Sequence, residues 1–148
     1  MANVLIVYGS TTGNTEWVAN QLSAQIKEAG HSVETTNAGK AKPDGLCSER
    51  DLVLFGCSTW GQDEIELQDD FIPLFQSFDK IGCSGIKAGV FGCGDEDYTH
   101  FCGAVDAITD KLGTLGAKVV GDKLKINGDP GDSAAAIKNW GSSVLAAI

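Results

Sequence analysis

A chain of 148 residues is about the length of one domain and can bury roughly two-thirds of the surface its unfolded form exposes. Its formal charge of −9, from 20 acidic and 11 basic residues, argues against nucleic acid, whose affinity rests on Lys and Arg neutralising phosphates. No apolar run approaches the ~20 residues of a membrane span, and no basic N-terminal region or small-residue cleavage site reads as a secretion signal, so a cytoplasmic protein that engages no membrane is expected.

The apolar run Val4–Val7 predicts a first strand over Asn3–Tyr8. A helix follows from about Gly13 to Ala29, with Val18, Leu22 and Ile26 on one stripe and Gly30 as its stop. Ser32–Thr36 alternates polar and apolar residues, as an edge strand does. Leu52–Phe55 and Ala88–Phe91 are short continuous apolar runs, the pattern of strands buried on both faces. Between them Leu67, Phe71, Leu74 and Phe78 keep helical spacing, with Pro73 expected to kink or shorten that helix. Val105, Ile108, Leu112 and Leu115 mark another helix ending at Gly116. A last strand lies within Lys118–Ile126, interrupted around Gly121–Asp122, and Ile137, Trp140, Val144 and Ile148 predict a closing helix. Five strands alternating with helices make a single doubly wound α/β domain over residues 1–148.

Three strands end alike, at Tyr8-Gly9-Ser10, Phe55-Gly56-Cys57 and Phe91-Gly92-Cys93. The pattern reads as an aromatic closing the core, a glycine turning the chain, and a small residue beyond. In parallel strands all three would open on one sheet edge, where ligands bind in open α/β folds. The first of them leads into "GSTTGNT", residues 9 to 15, which offers hydroxyl, amide and backbone N–H donors at a helix N-terminus, a ready anion site. No lysine occurs before Lys27, so nucleoside-triphosphate chemistry lacks its cation. What fits is one terminal phosphate that is held and never transferred, with nearly every oxygen hydrogen-bonded. A receiver domain would need an acidic pair where Gly9-Ser10 stands. A cysteine-dependent phosphatase would need an arginine six residues after its nucleophile, and Arg50, the single arginine, serves no cysteine so.

The five cysteines, Cys47, Cys57, Cys83, Cys93 and Cys102, are odd in number and form no C-x-x-C pair. Neither a disulfide framework nor a zinc site is favoured. His31 and His100 lack metal-ligand spacing, and no metal is expected.

The first strand and its loop resemble the flavodoxin signature: an apolar pair, an aromatic, a hydroxyl, then Gly13, Thr15, Ala19 and Leu22 in step. "CSTWGQDEIELQDDFIPLF" (57 to 75) and "FGCGDEDYTHFCGAVDAI" (91 to 108) resemble that family's two ring-binding loops. The likeness covers essentially the whole chain. It is strongest to the short-chain flavodoxins of sulfate-reducing bacteria, because the last strand lacks the long-chain insertion. The resemblance implies a five-stranded parallel sheet of order 2-1-3-4-5 with FMN at its switch point.

It further implies that Ser10, Thr11, Thr12, Gly13, Asn14 and Thr15 hold the phosphate, with Ser58 and Thr59 near it or the ribityl chain. Trp60 and Tyr98 would lie on the two ring faces, where aromatic stacking adds about 0.5–1.5 kcal/mol beyond area burial. Backbone around Gly61, Gln62, Gly94, Asp95, His100, Phe101 and Cys102 would address the ring's polar edge, with Cys93 and Cys102 as small liners rather than a redox thiol pair. Gly61 would turn its carbonyl toward the neutral semiquinone. One such hydrogen bond of about 1 kcal/mol shifts a one-electron potential by roughly 40 mV. The acids Asp63, Glu64, Glu66, Asp69 and Asp70, and Asp95, Glu96 and Asp97, would oppose the anionic hydroquinone.

The expected function is a low-potential one-electron carrier standing in for ferredoxin, a monomer whose acidic rim attracts basic patches on oxidoreductases, hydrogenase systems or cytochromes. The alternative is a flavodoxin-like NAD(P)H:quinone reductase, which would need a nicotinamide site that the sequence does not supply.

Overall fold

The computed structural model describes residues 2–9, 13–60, 66–94 and 102–148, and only the backbone of Thr59, Trp60 and Glu66. The element order is β1 (Asn3–Gly9), α1 (Asn14–Glu28), β2 (Ser32–Asn37), β3 (Leu52–Cys57), β4 (Thr59–Trp60), β5 (Glu66–Leu67), α2 (Phe71–Gln76), β6 (Lys87–Gly94), α3 (Gly103–Thr114), β7 (Lys118–Val119), β8 (Leu124–Asn127) and α4 (Ala134–Leu145). The main sheet is parallel throughout and runs β2-β1-β3-β6-β7, with β8 also paired to β6. β7 and β8 are two pieces of one fifth strand, and the break between them contains Gly121 and Asp122, as expected. The sheet order is therefore 2-1-3-4-5.

The pleat divides the strand residues between two cores. Leu5, Val7, Val53, Phe55 and Val90 face α2 and α3, joining Phe71, Leu74, Val105, Ile108 and Leu112. Val4, Ile6, Leu52, Leu54 and Phe91 face α1 and α4, joining Val18, Leu22, Ile26, Ile137 and Trp140. Continuous apolar strands are what a sheet covered on both faces requires. Arg50 ties the exposed edge strand to its neighbour, donating to Asn3 Oδ1 at 3.0 Å and to the Glu34 carboxylate at 2.5 Å.

Two expectations need correction. The helix expected to carry Leu67 through Phe78 is only six residues, Phe71–Gln76, and Leu67 belongs to β5. Pro73 sits at the third helical position, where no intrahelical N–H is needed, so it is accommodated rather than kinking a longer helix. Leu67 keeps the helical spacing by coincidence of period. The closing helix stops at Leu145, and Ile148 packs on the core from beyond it.

The glycines ending the buried strands also play a different part from the one expected. Gly56 and Gly92 lie inside their strands and Gly9 is the last residue of β1, and none has a positive φ. They are glycines because something fills the space of a side chain. A Cβ on Gly56 would stand 2.3 Å from the Phe91 ring, one on Gly92 2.3 Å from the Cys57 carbonyl oxygen, and one on Gly9 2.5 Å from Gln68 Oε1. They hold the strand ends together rather than turning the chain.

Candidate functional site

β1 and β3 are neighbours whose following helices lie on opposite sides of the sheet, α1 against one core and α2 against the other. Their boundary is the switch point, and its carboxyl edge is where a nucleotide belongs. Gly9 stands level with Cys57 there, and Gly56 with Phe91. Three strand ends thus converge on one rim.

Helix α1 begins at this rim. Gly13 caps it at φ 92°, a left-handed conformation that glycine enters without steric cost, and its carbonyl accepts the first helical bond from Trp17 N–H. The capping residue brings no side chain, so the cap itself supplies no competing acceptor. The helix is 15 residues long, so its N-terminal turn carries the usual partial positive charge.

Under that turn lies a buried polar cluster. Thr15 Oγ1 and Ser58 Oγ are 2.8 Å apart, and Thr15 is fully buried. The Thr15 hydroxyl also lies near enough to the Cys93 thiol to pull its pKa down, so residues from α1, the β3 exit and the β6 end come together here. Ser58 N–H donates to the Gly9 carbonyl at 3.4 Å, and Gln68 N–H donates to the Ser58 carbonyl at 3.0 Å. Among the described residues the buried polar side chains are Thr15, Ser23, Ser58 and Gln68, and all but Ser23 gather here. The donors are neutral hydroxyls and amides beside a helix terminus, which fits a phosphate monoester and suits neither a metal nor a transferable phosphoryl group.

Of the other expected site residues, Thr59 and Trp60 form β4, paired antiparallel with β5 in the register Thr59 to Leu67 and Trp60 to Glu66. That hairpin springs from the end of β3, so Trp60 is placed beside the rim. Cys93 and Gly94 end β6 at the same rim. Cys102 caps α3 in a left-handed conformation, φ 49°, with its thiol toward the Gly92 and Ile126 carbonyls at 3.7 Å each. Ser10, Thr11, Thr12, Gly61, Gln62, Asp95, Tyr98, His100 and Phe101 lie outside the described residues.

Burial pushes the Cys93 thiol up to about 11, against the lowering pull of the Thr15 hydrogen bond. Burial likewise pushes Cys57 and Cys102 to about 12. Thiols raised in this way are held neutral near pH 7. His31 accepts a hydrogen bond from Ala2 N–H at 2.9 Å, at the opposite end of the sheet.

Gln68 is the residue the sequence reading missed. It is 2 % exposed, and an amide inside the apolar spacing Leu67, Phe71, Leu74 was the available signal. Two concavities lie elsewhere: about 360 Å³ between α1 and α4 beside Trp17 and Ile137, and about 550 Å³ near His31, Arg50 and Lys87. Neither gathers buried hydroxyls. Gln25 in the first already donates to the Lys138 carbonyl and Ser142, and Arg50 in the second is paired with Glu34.

A parallel α/β sheet of this order, with a neutral donor cluster at its switch point, defines a mononucleotide-binding protein of the doubly wound class. The flavodoxin family model matches residues 6–140. The chain is 59% identical over 148 residues to a flavodoxin of Nitratidesulfovibrio vulgaris, covering all of both chains, and 53% identical over 144 residues to one of Maridesulfovibrio salexigens, covering 97% of each. Oxidised flavodoxin 1 of Bacillus cereus superposes with a TM-score of 0.90 at 27% identity, covering 99% of both chains. A Fusobacterium nucleatum flavodoxin bound to flavin mononucleotide superposes at 0.84 over 100% of this chain and 99% of its own, but at 16% identity it speaks for the fold alone. The chain belongs to the flavodoxin family and is of the short-chain type found in sulfate reducers. Its members are FMN-carrying electron-transfer proteins, not enzymes, and the quinone-reductase alternative is set aside on that ground.

Proposed function

We propose that this chain binds FMN non-covalently and carries single electrons at low potential, cycling mainly between the one-electron-reduced and fully reduced flavin in the role a ferredoxin otherwise fills. The observation that carries the reading is the buried Thr15–Ser58 hydroxyl pair beneath the α1 N-terminus. It suits a phosphate that is held by hydrogen bonds and never transferred.

In this reading Ser10, Thr11, Thr12, Gly13, Asn14, Thr15 and Ser58 hold the phosphate, and Thr59 lies near the ribityl chain. Trp60 and Tyr98 cover the ring. Backbone at Gly61, Gln62, Gly94, Asp95, His100, Phe101 and Cys102 meets its polar edge, and Cys93 lines the pocket floor. FMN supplies the electron chemistry. The protein supplies a site that binds the phosphate without a counter-ion and so leaves the surroundings of the flavin poor in positive charge. The chain acts as a single cytoplasmic domain and monomer. Its formal charge of −9 steers it toward basic patches on partner oxidoreductases, hydrogenase systems and cytochromes.

An anaerobic reductive titration of the purified protein tests this. Two resolved one-electron steps, with transient long-wavelength absorbance between them, are expected. Bleaching in one unresolved two-electron step would remove the single-electron role while leaving the cofactor in place.

A further inference from the structure

The Gln68 side chain is folded back on its own chain as a hook. Its Oε1 accepts Asp70 N–H at 2.9 Å and its Nε2 donates to Asp70 Oδ2 at 3.3 Å. The hook fastens Asp70, the residue preceding α2, and places Oε1 in the volume a Gly9 side chain would need. The Gln68 main chain meanwhile holds the β4–β5 hairpin shut at its base through the Ser58 carbonyl. One residue therefore touches both the stem of the phosphate loop, at Gly9, and the base of the hairpin that carries Trp60.

We infer that Gln68 is a positioning residue for the flavin site: its hook against Gly9 fixes the spacing between the phosphate loop and the ring-bearing hairpin. It acts through Gly9 and Ser58, not on the cofactor. A cofactor held at both ends binds tightly only if the two loops stand at the right separation before it arrives. A buried amide is a costly spacer unless its hydrogen bonds are met, and here Asp70 meets both its Nε2 and its Oε1. An apolar residue of the same length would fill the volume but lose the bend that Asp70 enforces. The complementary choice of glycine at position 9 makes the pair a fitted joint.

The test is a cycle of Gly9→Ala, Gln68→Ala and the double variant, each purified with FMN, diluted, and followed by recovery of free-flavin fluorescence. Gln68→Ala is expected to weaken FMN binding about tenfold, and Gly9→Ala by more, since the methyl collides with Oε1. In the Gln68→Ala background only Phe71 Cβ, 3.2 Å from the methyl, still crowds it, so adding Gly9→Ala should cost about threefold or less. Urea midpoints and amide exchange at Ser58 and Gln68 are recorded on the same samples. Faster exchange at these two amides with exchange in β6 unchanged is the signature of a loosened joint. Equal cost of Gly9→Ala in both backgrounds overturns the proposal. So does Gln68→Ala that lowers the urea midpoint while leaving FMN release unchanged, which would make Gln68 a stabiliser only. If Gly9→Ala does not fold, Gln68→Met decides: it fills the space without the bend and is expected to release FMN faster, and retention at the wild-type rate overturns the proposal.

Discussion

Thr15 Oγ1 and Ser58 Oγ share one hydrogen across 2.8 Å. Each of the two hydroxyls has a single hydrogen to give. When Thr15 donates to Ser58, the Ser58 hydrogen is left to point at a phosphate oxygen. A chain of this kind polarises along its length, so its members are worth more together than apart. Ser58→Ala should weaken FMN binding by about tenfold to a hundredfold, the worth of one hydrogen bond to a charged group. Thr15→Val should cost much less in the Ser58→Ala background than alone. Dissociation constants for the two single variants and the double variant check this, and strictly additive losses would sink the relay.

The strand-end glycines give a sharper contrast. Gly92→Ala sets a methyl 2.3 Å from a backbone carbonyl, which no rotamer change can relieve. It should lower stability by about 3 kcal/mol or more. Gly113, exposed within α3, has nothing within 4 Å of a new Cβ. Gly113→Ala should raise stability by about 0.4–1 kcal/mol, through the helix and unfolded-chain terms alone. Urea denaturation of both variants tests the pair, and similar effects in the two would mean the strand ends can spread.

These cases show where the sequence was informative. Pattern found every strand of the main sheet: the central strands because strands buried on both faces must be apolar throughout, as Leu52–Phe55 is, and the exposed edge β2 by its alternation. It recognised the rim because Gly9, Gly56 and Gly92 sit at matching places. It misread why they are there, since a missing Cβ looks the same whether the backbone turns or a neighbour intrudes. The neighbours, Phe91, Cys57 and Gln68, are in all three cases more than thirty residues away in sequence. Leu67 fell to the same blindness: one residue at helical spacing can belong to a hairpin instead. The site's chemistry was legible in Thr15 and Ser58 as residue types, but their meeting is a product of the fold.

The buried cysteines make the protein vulnerable to alkali. Burial raises Cys57 and Cys102 from 9.0 to about 12. For a raised folded-state value, the stabilisation is complete below the unfolded value, near 9, and is lost progressively as pH rises toward 12. Each thiol should cost on the order of 1 kcal/mol by pH 10, since the unfolded form then loses protons that the folded form keeps. The measurement is the urea midpoint of the apoprotein from pH 8 to 11, wild type against Cys57→Ala/Cys102→Ala. Cavities left by the variant lower its stability equally at all these pH values, so its midpoint should fall less steeply with pH. Parallel pH curves would mean that other groups carry the alkaline loss.

At the acid end the sensitive group is Asp106. Its carboxyl accepts from Lys123 Nζ at 2.9 Å and Lys125 Nζ at 2.8 Å, joining the start of α3 to the broken fifth strand. Partial burial opposes ionisation, but the two lysines outweigh it and hold the carboxyl below its ordinary 3.8. A lowered folded-state value means the stabilisation is present above the unfolded value and is lost as pH falls through the folded one. Because the pair is partly exposed, salt should weaken it. The wild-type advantage over Asp106→Asn should therefore be largest near neutral pH at low ionic strength and vanish below the ordinary carboxylate range. Amide exchange in β8, at Leu124 and Ile126, is the local readout. If acid speeds exchange there equally in both proteins, the fifth strand is held by its pairing to β6 and by Trp140, whose indole N–H donates to the Asp122 carbonyl at 2.5 Å, rather than by the charge cluster.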